Sequence, residues 1–419
     1  MNRDCDLICF TLSRWDAAIS SPALALAKEF ARHNRVFYVE HPFTWKDYFQ
    51  LKNTDGVKRR KEALLWGKNI YSNPSSLPEN LTVVTPELTL PINFLPPGKL
   101  YGWLSKINDN IVLKVIRRLI SDYKLKEFIY INFFDPYYLR KLPGDIKPLR
   151  TIYQSMDDIS QVDYSRRHGL KLEEEIIRNA DYTLCTSKEL TRLKSQFSPN
   201  VYFHPNAADV ETFTTAMTKK LPRPKELENI KHKIIGFTGS IEYRSDFDLL
   251  KKIANYHQDK VLFFVGPINT EEHKSVGLDK MPNVVFAGSK NINELPAFLQ
   301  HFDCTIIPYR KTVLTKSIYP LKINEYLAAG KPVVATNFSE DIYSFRDVAY
   351  VVDTHEEFVE TIDRAISENN EERQLARMKV ATQNTWKARV EQFWRIVSQE
   401  PVLKETGDRR QDTGEETGN

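Results

Sequence analysis

The first half of the chain contains short runs of apolar residues that are bounded by polar or turn-forming positions. These runs lie at residues 7–12, 36–40, 128–133, 151–154, 182–185 and 201–203. Such runs are typical of parallel strands that are buried on both faces. Between the first two runs, Ser21 and Pro22 predict the N-cap and first turn of a helix that continues to about Arg32. Strand, helix and strand in this order predict a parallel sheet with a right-handed crossover.

The second half repeats this alternation more regularly. Its apolar runs lie at residues 234–238, 261–265, 284–286, 304–307, 333–335 and 350–352, and helix-like segments separate most of them. Strands that alternate with helices in this way predict a doubly wound sheet. The predicted fold class is therefore α/β, with two Rossmann-like doubly wound parallel-sheet domains.

Domain boundaries are predicted where these patterns change. We expect a first domain over residues 1–208, interrupted at 46–126 by a charged, irregular insertion with helices near 58–67 and 103–123. A second domain is expected over 209–385, with a polar connection at 214–233. A helix near 371–397 is predicted to end the ordered fold. Residues 404–419 lack apolar side chains and are predicted to be disordered.

Length and composition indicate a globular protein of more than one domain. The 419 residues exceed what one hydrophobic core usually supports, and 41% hydrophobic with 27% charged residues is an ordinary balance. No apolar run approaches the roughly 20 residues that cross a bilayer, and we expect no signal peptide. Cys5, Cys9, Cys185 and Cys304 have no metal-ligand spacing, so we expect buried, reduced thiols in a cytoplasmic protein.

Positive charge is concentrated in the first half. Residues 1–200 contain 30 basic and 23 acidic residues, a net charge of +7, although the whole chain carries only +4. Between Phe94 and Lys126, basic residues such as Lys114, Arg117 and Arg118 alternate with apolar and aromatic ones. This stretch suits either a solvated helix face or peripheral contact with an anionic membrane. No nucleic-acid recognition motif accompanies the charge, so we do not expect nucleic acid as a partner.

Residues 318–336 carry the most informative pattern of the chain. Pro320 fits the first position of a short helix over 321–329, which Gly330 and Pro332 end before a buried strand. Lys322 in the first turn opposes the helix dipole unless an anion is bound there, in which case the lysine and free N–H groups form a phosphate cradle. Glu325, one turn further, is spaced to accept hydrogen bonds from hydroxyl groups. The alternative is an ordinary Lys322–Glu325 surface pair.

The string Glu-Tyr-Leu-Ala-Ala-Gly-Lys-Pro-Val-Val at 325–334 resembles the donor-binding signature of the GT-B glycosyltransferases. It is most similar to the retaining, family 4-like or group 1 enzymes that assemble bacterial polysaccharides. The resemblance implies that Glu325 holds the ribose of a nucleotide sugar and that the helix N-terminus takes its diphosphate. Many members carry a second glutamate eight residues before the first, where this chain has Ser317. It also implies the GT-B architecture, in which two Rossmann-like domains face a deep cleft. In that architecture the terminal segment 386–403 is expected to pack back near the hinge.

The resemblance covers about residues 6–395, with gaps in the insertion. Residues 179–190 are similar to the "E…AD…TS..L" stretch that closes the first domain, and 204–213 are similar to the "PNGVD…F" turn that leads to the second. On the donor side, Gly239 permits close approach to a phosphate and Arg244 is placed to reach its oxygens, unless the two form only a tight turn. The resulting donor-binding set is Gly239, Arg244, Ser317, Tyr319, Pro320, Leu321, Lys322 and Glu325.

Candidate acceptor-side residues follow the first predicted strand. Trp15 is suited to stacking on a sugar ring and Arg14 to pairing with a carboxylate or lipid phosphate, although packing against the next helix is an equal alternative. The catalytic residue is not identified by the sequence. The candidates are Asp16, Asp158 and His41, which lie at or near strand ends, and a structural histidine is the main alternative for His41.

The resemblance, together with these patterns, implies a cytoplasmic hexosyltransferase that is either free or peripheral on the inner face of the cell membrane. The expected donor is a nucleotide-diphosphate sugar, and the expected acceptor is a cell-surface glycan or a lipid-linked precursor of exopolysaccharide, capsule, teichuronic-acid or lipopolysaccharide type. Retention is implied by the resemblance. No metal or other cofactor is expected, because no cluster has metal spacing and the helix dipole, Arg244 and Lys322 can neutralise the leaving diphosphate. The alternatives are a nucleotide-sugar epimerase or hydrolase on the same fold, and a non-catalytic nucleotide-sugar-binding paralogue.

Overall fold

The computed structural model describes residues 3–17, 21–161, 165 and 167–402. In this part of the chain, strands and helices alternate to form two parallel sheets, as the apolar runs predicted. The predicted disordered tail, residues 404–419, lies outside the described residues.

The first domain is built on an eight-stranded sheet with the order β3-β4-β2-β1-β5-β6-β7-β8. Its strands are β1 Asp6–Thr11, β2 Val36–Glu40, β3 Tyr71–Ser72, β4 Leu81–Val84, β5 Phe128–Phe133, β6 Arg150–Ser155, β7 Tyr182–Cys185 and β8 Val201–Phe203. Its helices are α1 Pro22–Phe30, α2 Trp45–Leu51, α3 Asp55–Trp66, α4 Lys99–Asp122, α5 Gly169–Asn179 and α6 Lys188–Lys194. All neighbouring strands are parallel except β3 and β4. Ser21 caps α1 by accepting a hydrogen bond from the Leu24 amide, as expected.

The segment 46–126 is only partly the irregular insertion that the sequence suggested. It contains α3 and α4 near the expected positions, but β3 and β4 also lie within it and extend the first sheet. β3 escaped prediction because it has only two residues, and β4 because its apolar run lies between Pro78 and Pro86 in a segment whose charge and irregularity predicted an insertion.

The second domain is built on a six-stranded sheet with the order β11-β10-β9-β12-β13-β14. Its strands are β9 Lys233–Thr238, β10 Lys260–Val265, β11 Val284–Phe286, β12 Cys304–Ile307, β13 Val333–Thr336 and β14 Tyr350–Val352. Its helices are α7 Val210–Thr218, α8 Phe247–Tyr256, α9 Glu272–Ser275, α10 Leu295–His301, α11 Val313–Lys316, α12 Leu321–Ala328, α13 Glu340–Tyr343, α14 His355–Ser367 and α15 Glu371–Thr382. The last helix of the chain is α16 Trp386–Val397.

The chain passes between the domains twice, and both passages lie together. Ala208 forms an isolated parallel bridge with Thr385, and α7 after it belongs to the core of the second domain. The connection therefore precedes residue 210, so the expected linker at 214–233 is wrong. The single helix expected over 371–397 is also wrong, because the chain breaks between α15 and α16, where Thr385 caps the new helix. The core side chains of α16 then pack with those of the first domain, where the Phe393 and Phe30 rings are 4.8 Å apart.

Further contacts hold the domains against each other. The Lys188 amide, at the start of α6, donates a hydrogen bond to the Asp341 carboxylate of α13 at 3.1 Å. Lys316 of the second domain lies 3.1 Å from the Glu189 carboxylate of the first. The carboxyl ends of the two sets of strands therefore border a common cleft, which is the GT-B arrangement.

Candidate functional site

Each sheet has a point at which its strand order reverses direction. In the first sheet the reversal lies between β1 and β5, and in the second between β9 and β12. Open parallel sheets bind ligands outside the carboxyl ends of the strands at such points. The loops after these four strands are therefore where a site is expected, and they contain Asp16, Asp135, Gly239 and Tyr309.

The donor side is formed where α12 begins beside the second reversal point. Pro320 is the N-cap rather than the first helical residue, because its ψ of 103° is extended and the helix starts at Leu321. No side chain caps this end of α12. Lys322 lies in the first turn, as expected, and donates a hydrogen bond to the Tyr309 hydroxyl at 3.0 Å. The end of the helix therefore offers N–H groups and an ammonium to the same space.

Gly239 allows the backbone to lie close to the side chain of Lys322. Its φ of +107° is unfavourable for other residues, and a Cβ at this position would lie 2.8 Å from the Lys322 Nζ. The Lys322 ammonium also lies 5.1 Å from the centre of the Phe237 ring. Within the described residues, no carboxylate lies at ion-pair distance from this ammonium. Its charge is therefore available to an anion.

Glu325 lies one turn further along α12 and is half-buried. The alternative of a Lys322–Glu325 surface pair is not found, since no ion pair joins the two within the described part of the chain. Burial raises the pKa of Glu325 to about 7, with Lys322 acting to lower it and Asp209 to raise it. A carboxyl group without a charged partner, set beside a free ammonium, is a site at which hydroxyl donors would be bound.

The other predicted donor residues are more dispersed. The Arg244 guanidinium binds the Glu242 carboxylate, so a phosphate would have to compete with that carboxylate. Ser317 is buried at the end of α11, and its hydroxyl has no hydrogen-bond partner among the residues that the structure describes. The Tyr319 hydroxyl accepts a hydrogen bond from the Asn324 amide at 3.1 Å, and burial raises the pKa of Tyr319 to about 12. Tyr319 lines a cavity at the domain junction rather than the phosphate cradle.

A carboxyl group of the first domain faces Arg244 across the cleft. Asp157 follows β6 and its side chain is exposed, yet many protein atoms surround it. This partial loss of hydration raises the pKa of Asp157 to about 6, although Arg244 acts to lower it. Asp158, a catalytic candidate, is buried. Its Oδ1 accepts hydrogen bonds from the amide and the hydroxyl of Ser160, at 3.0 and 2.6 Å.

The predicted acceptor residues form a fixed loop after β1. The Arg14 guanidinium carbon lies 3.5 Å from the centre of the Phe43 ring, and its Nε has no partner. Trp15 packs against the core of the first domain. Asp16 accepts two hydrogen bonds from Arg60, at 2.8 and 3.0 Å. Burial acts to raise the pKa of Asp16, but the bonds from Arg60 outweigh it and the pKa is lowered. A carboxylate held in this way is a structural anchor.

His41 is the catalytic candidate whose imidazole pairs with a buried carboxylate. It follows β2, and its Nδ1 lies 2.6 Å from the Oδ2 of Asp135, which is fully buried after β5. Asp135 is fixed in turn, because its amide donates to the Asn132 side chain at 2.8 Å and its Oδ1 accepts from the Tyr137 amide. The pair spans the reversal point between β1 and β5. Asp135 was missed because 94 residues separate it from His41.

Two expected absences concern the described residues only. No group of three or more His, Cys, Asp or Glu side chains there is arranged to hold a metal ion. No helix in the same part of the chain is both long and apolar enough to cross a membrane. The four cysteines are free and buried, as predicted.

Comparison with known proteins shows the fold of the whole chain and a sequence similarity of its second domain. Residues 232–368 match the sequence model of the glycosyl transferases group 1. TuaH of Bacillus subtilis (strain 168), described as a candidate teichuronic acid biosynthesis glycosyltransferase, is 29% identical over 220 residues, 49% of this chain and 54% of that protein. The matched region thus spans about half the length of this relative.

Solved structures are similar over nearly the whole chain. Sucrose-phosphate synthase from Thermosynechococcus elongatus has a TM-score of 0.64 at 13% identity, with 94% of this chain and 98% of that chain covered. An E. coli structure described as trehalose-6-phosphate bound with UDP-2-fluoro glucose has a TM-score of 0.65 at 12% identity, with 95% and 100% covered. At such identities the likeness shows the fold. The chain thus has the GT-B fold, and residues 232–368 are similar to the glycosyl transferases group 1.

Proposed function

We propose that the protein is a glycosyltransferase that moves a hexosyl group from a nucleotide-diphosphate sugar to a glycan or lipid-linked acceptor of the cell surface. The observation that carries the proposal is the pair of ionisable groups on α12, the Lys322 ammonium beneath Gly239 and the Glu325 carboxyl one turn further. Neither of them forms an ion pair within the described residues. The family description of residues 232–368 and the nucleotide sugar in the E. coli structure support the same donor. The description of TuaH supports a cell-envelope acceptor.

The chemistry follows from the placement of these charges. The bond between the anomeric carbon and the diphosphate oxygen breaks, and a new bond forms between that carbon and an acceptor oxygen. Negative charge develops on the leaving diphosphate, where Lys322 and the N–H groups of α12 would stabilise it. We propose that this stabilisation suffices without a metal ion and that the configuration of the sugar is retained, as the resemblance implies.

The acceptor side of the proposal rests on the first domain. His41, oriented by Asp135, would hydrogen-bond a hydroxyl group of the bound sugar or acceptor, and Arg14 and Trp15 would border the acceptor site. Asp16 and Asp158 are bound within the protein and are not proposed as catalytic residues. We propose further that the protein acts in the cytoplasm, where a lipid-linked acceptor would be reached at the inner membrane surface.

The donor pocket is tested by calorimetry with a panel of nucleoside diphosphates. Lys322→Ala should weaken binding by roughly 10- to 150-fold, because a charge-assisted contact contributes about 1.5–3 kcal/mol. Lys252→Ala is the matched control, since Lys252 lies on α8 and pairs with Glu356 at 2.8 Å. Unchanged affinity of Lys322→Ala for every nucleotide that the native protein binds would rule out the assignment of this pocket.

A further inference from the structure

The first domain exposes a group of large apolar side chains at one rim. The group, called here the aromatic rim, is exposed by the following fractions: Trp45 41%, Phe49 62%, Phe94 69%, Leu100 58% and Trp103 61%. Single exposed apolar residues need no explanation, but several in one region of a soluble domain indicate an interaction surface. None of the residues of α2, which carries the first two, is buried.

Backbone and side-chain contacts join the parts of the aromatic rim. The Trp45 amide donates to the Thr89 carbonyl at 3.0 Å, and the next residue, Leu90, exchanges two hydrogen bonds with Asn108 of α4. Residue 94 follows four positions later and leads into the start of α4. Residues 88–95 therefore connect α2 to α4 along one edge.

This edge lies on the cleft side of the domain. The helix α2 follows the carboxyl end of β2 after a short loop that contains His41. The helix α4 ends five residues before β5 begins, so its first turn lies at the opposite end, beside the carboxyl ends of the strands. The aromatic rim therefore borders the part of the cleft in which His41 lies.

The aromatic rim is flanked by lysines that form no ion pair. Within the described residues, no carboxylate lies at ion-pair distance from Lys46, Lys52, Lys99 or Lys106. The nearby Asp47 is charged but engaged elsewhere, because it accepts hydrogen bonds from the amide and hydroxyl of Thr44, both at 2.9 Å. Asp109 accepts from the Leu139 amide at 2.9 Å and lies 3.5 Å from Arg140.

The basic residues for which the sequence suggested membrane contact differ from these lysines, because they form ion pairs. Each of the three is paired with an acid, Lys114 with Glu87 at 2.7 Å, Arg117 with Asp145 at 2.7 Å and Arg118 with Asp122 at 3.2 Å. These pairs neutralise the C-terminal half of α4. An anionic surface would therefore attract the start of α4 and the α2 region more strongly than the end of α4.

We propose that the aromatic rim is the docking surface of this protein on an anionic bilayer. Tryptophan and phenylalanine side chains enter the headgroup region, and the flanking lysines lie against lipid phosphates. Docking in this orientation presents the cleft near His41 to the membrane surface. The inference rests on the proposed function only for its biological reason, because the binding itself requires no donor and no turnover.

Co-sedimentation with phosphatidylcholine vesicles of increasing phosphatidylglycerol content tests the proposal. Binding of the full chain should rise with the anionic lipid and fall at high salt. The double variant Phe94→Ser, Trp103→Ser should lose at least tenfold in binding. The matched control is Trp66→Ser, because Trp66 is 71% exposed but lies beside Gly67, whose carbonyl accepts from Arg118 near the end of α4.

Two double variants that change the net charge equally test which basic residues contact the membrane. Lys99→Glu with Lys106→Glu should weaken binding by more than about 25-fold, since losing each basic side chain near such a surface costs about fivefold and the new glutamates are repelled by the surface. Lys114→Glu with Arg117→Glu should weaken it several-fold less. Equal losses in the two charge variants, or unchanged binding in Phe94→Ser, Trp103→Ser, would overturn the assignment to the aromatic rim.

Two further results separate this inference from the proposed function. Nucleotide affinity of the rim variants should equal that of the native protein, which shows that they fold, and Glu325→Gln should still bind vesicles. Vesicle binding by a protein that binds no nucleotide would refute the proposed function and leave the docking surface standing. Failure to bind vesicles, together with self-association that Phe94→Ser, Trp103→Ser abolishes, would show an interface between copies and overturn the proposal.

Discussion

Nucleotide-sugar binding should depend on pH through Glu325. In the free protein, burial raises the pKa of this carboxyl to about 7, so that about half of it is protonated at neutral pH. Hydroxyl groups of a bound ribose donate hydrogen bonds, which favour the ionised carboxylate and lower its pKa in the complex. Binding should therefore release a proton, and affinity should rise with pH until the carboxyl is fully ionised in the free protein.

The size of this effect follows from the pKa. At pH 6, about one unit below the pKa, roughly a tenth of the carboxyl is ionised, so affinity should be about tenfold lower than at pH 8. At pH 7 binding should release about half a proton. A nucleotide sugar is the better probe than a nucleoside diphosphate, because a terminal phosphate titrates near pH 6 and would add its own dependence.

Calorimetry at pH 6, 7 and 8, in buffers of different ionisation enthalpy, measures both quantities. Glu325→Gln keeps the size of the side chain and removes its titration, so its affinity should be independent of pH and its binding should release no proton. Equal affinity of the native protein at pH 6 and 8, without proton release, would refute the role of Glu325 as the hydroxyl-binding group.

Three other perturbations give separate expectations. Gly239→Ala should reduce nucleotide affinity at least tenfold by calorimetry, because its Cβ would lie 2.8 Å from the Lys322 Nζ at a φ of +107°. His41→Gln and Asp135→Asn should each lower kcat of sugar transfer at least tenfold while nucleoside-diphosphate affinity stays unchanged, since both residues lie on the acceptor side. Asp341→Asn should raise Tm at pH 8 and leave it unchanged at pH 4, because burial raises the pKa of Asp341 to about 7 and ionising it between these pH values costs folding free energy.

Each of these expectations has a contradicting result. Native nucleotide affinity in Gly239→Ala would show that the ligand does not approach this turn. Loss of nucleotide affinity in His41→Gln would place His41 in the donor site or in folding. A Tm gain of Asp341→Asn that is equal at pH 4 and pH 8 would show that the carboxyl is not titrating in this range.

Most of the strands were predictable because they give short apolar runs, whether the strand is fully buried, as β5 is, or only partly buried, as β11 is. The run at 128–133 coincides with β5, and the run at 284–286 coincides with β11. The prediction of a single helix over 371–397 was wrong because the residues of α15 and of α16 both have a helical pattern. The break is set by the passage between domains, where the Ala208 amide donates to the Asn384 carbonyl. That contact joins residues far apart in the chain and leaves no local signal.

The candidate site was predictable on the donor side and much less so on the acceptor side. Lys322 and Glu325 are three residues apart on one helix, so helical geometry places them together. The sequence places Asp16 near a strand end and indicates no partner for it. In the structure Arg60, which comes from the segment between β2 and β3, binds this carboxylate. The His41–Asp135 pair depends on two strands that the fold makes near neighbours. Such pairings arise from topology, which sequence spacing does not contain.

Consumption of a nucleotide sugar is the most direct test of the central claim that this GT-B protein transfers sugars with the donor held at α12. A panel of nucleotide sugars is incubated with the protein, with and without a bacterial lipid extract as acceptor, and released nucleoside diphosphate is measured together with the fate of the sugar. At least one donor should be consumed, and the release of nucleoside diphosphate should depend on the acceptor. Lys322→Ala should abolish this release, and Lys252→Ala should not. Binding without consumption of any donor, or release of an epimerised or free sugar in place of transfer, would contradict it.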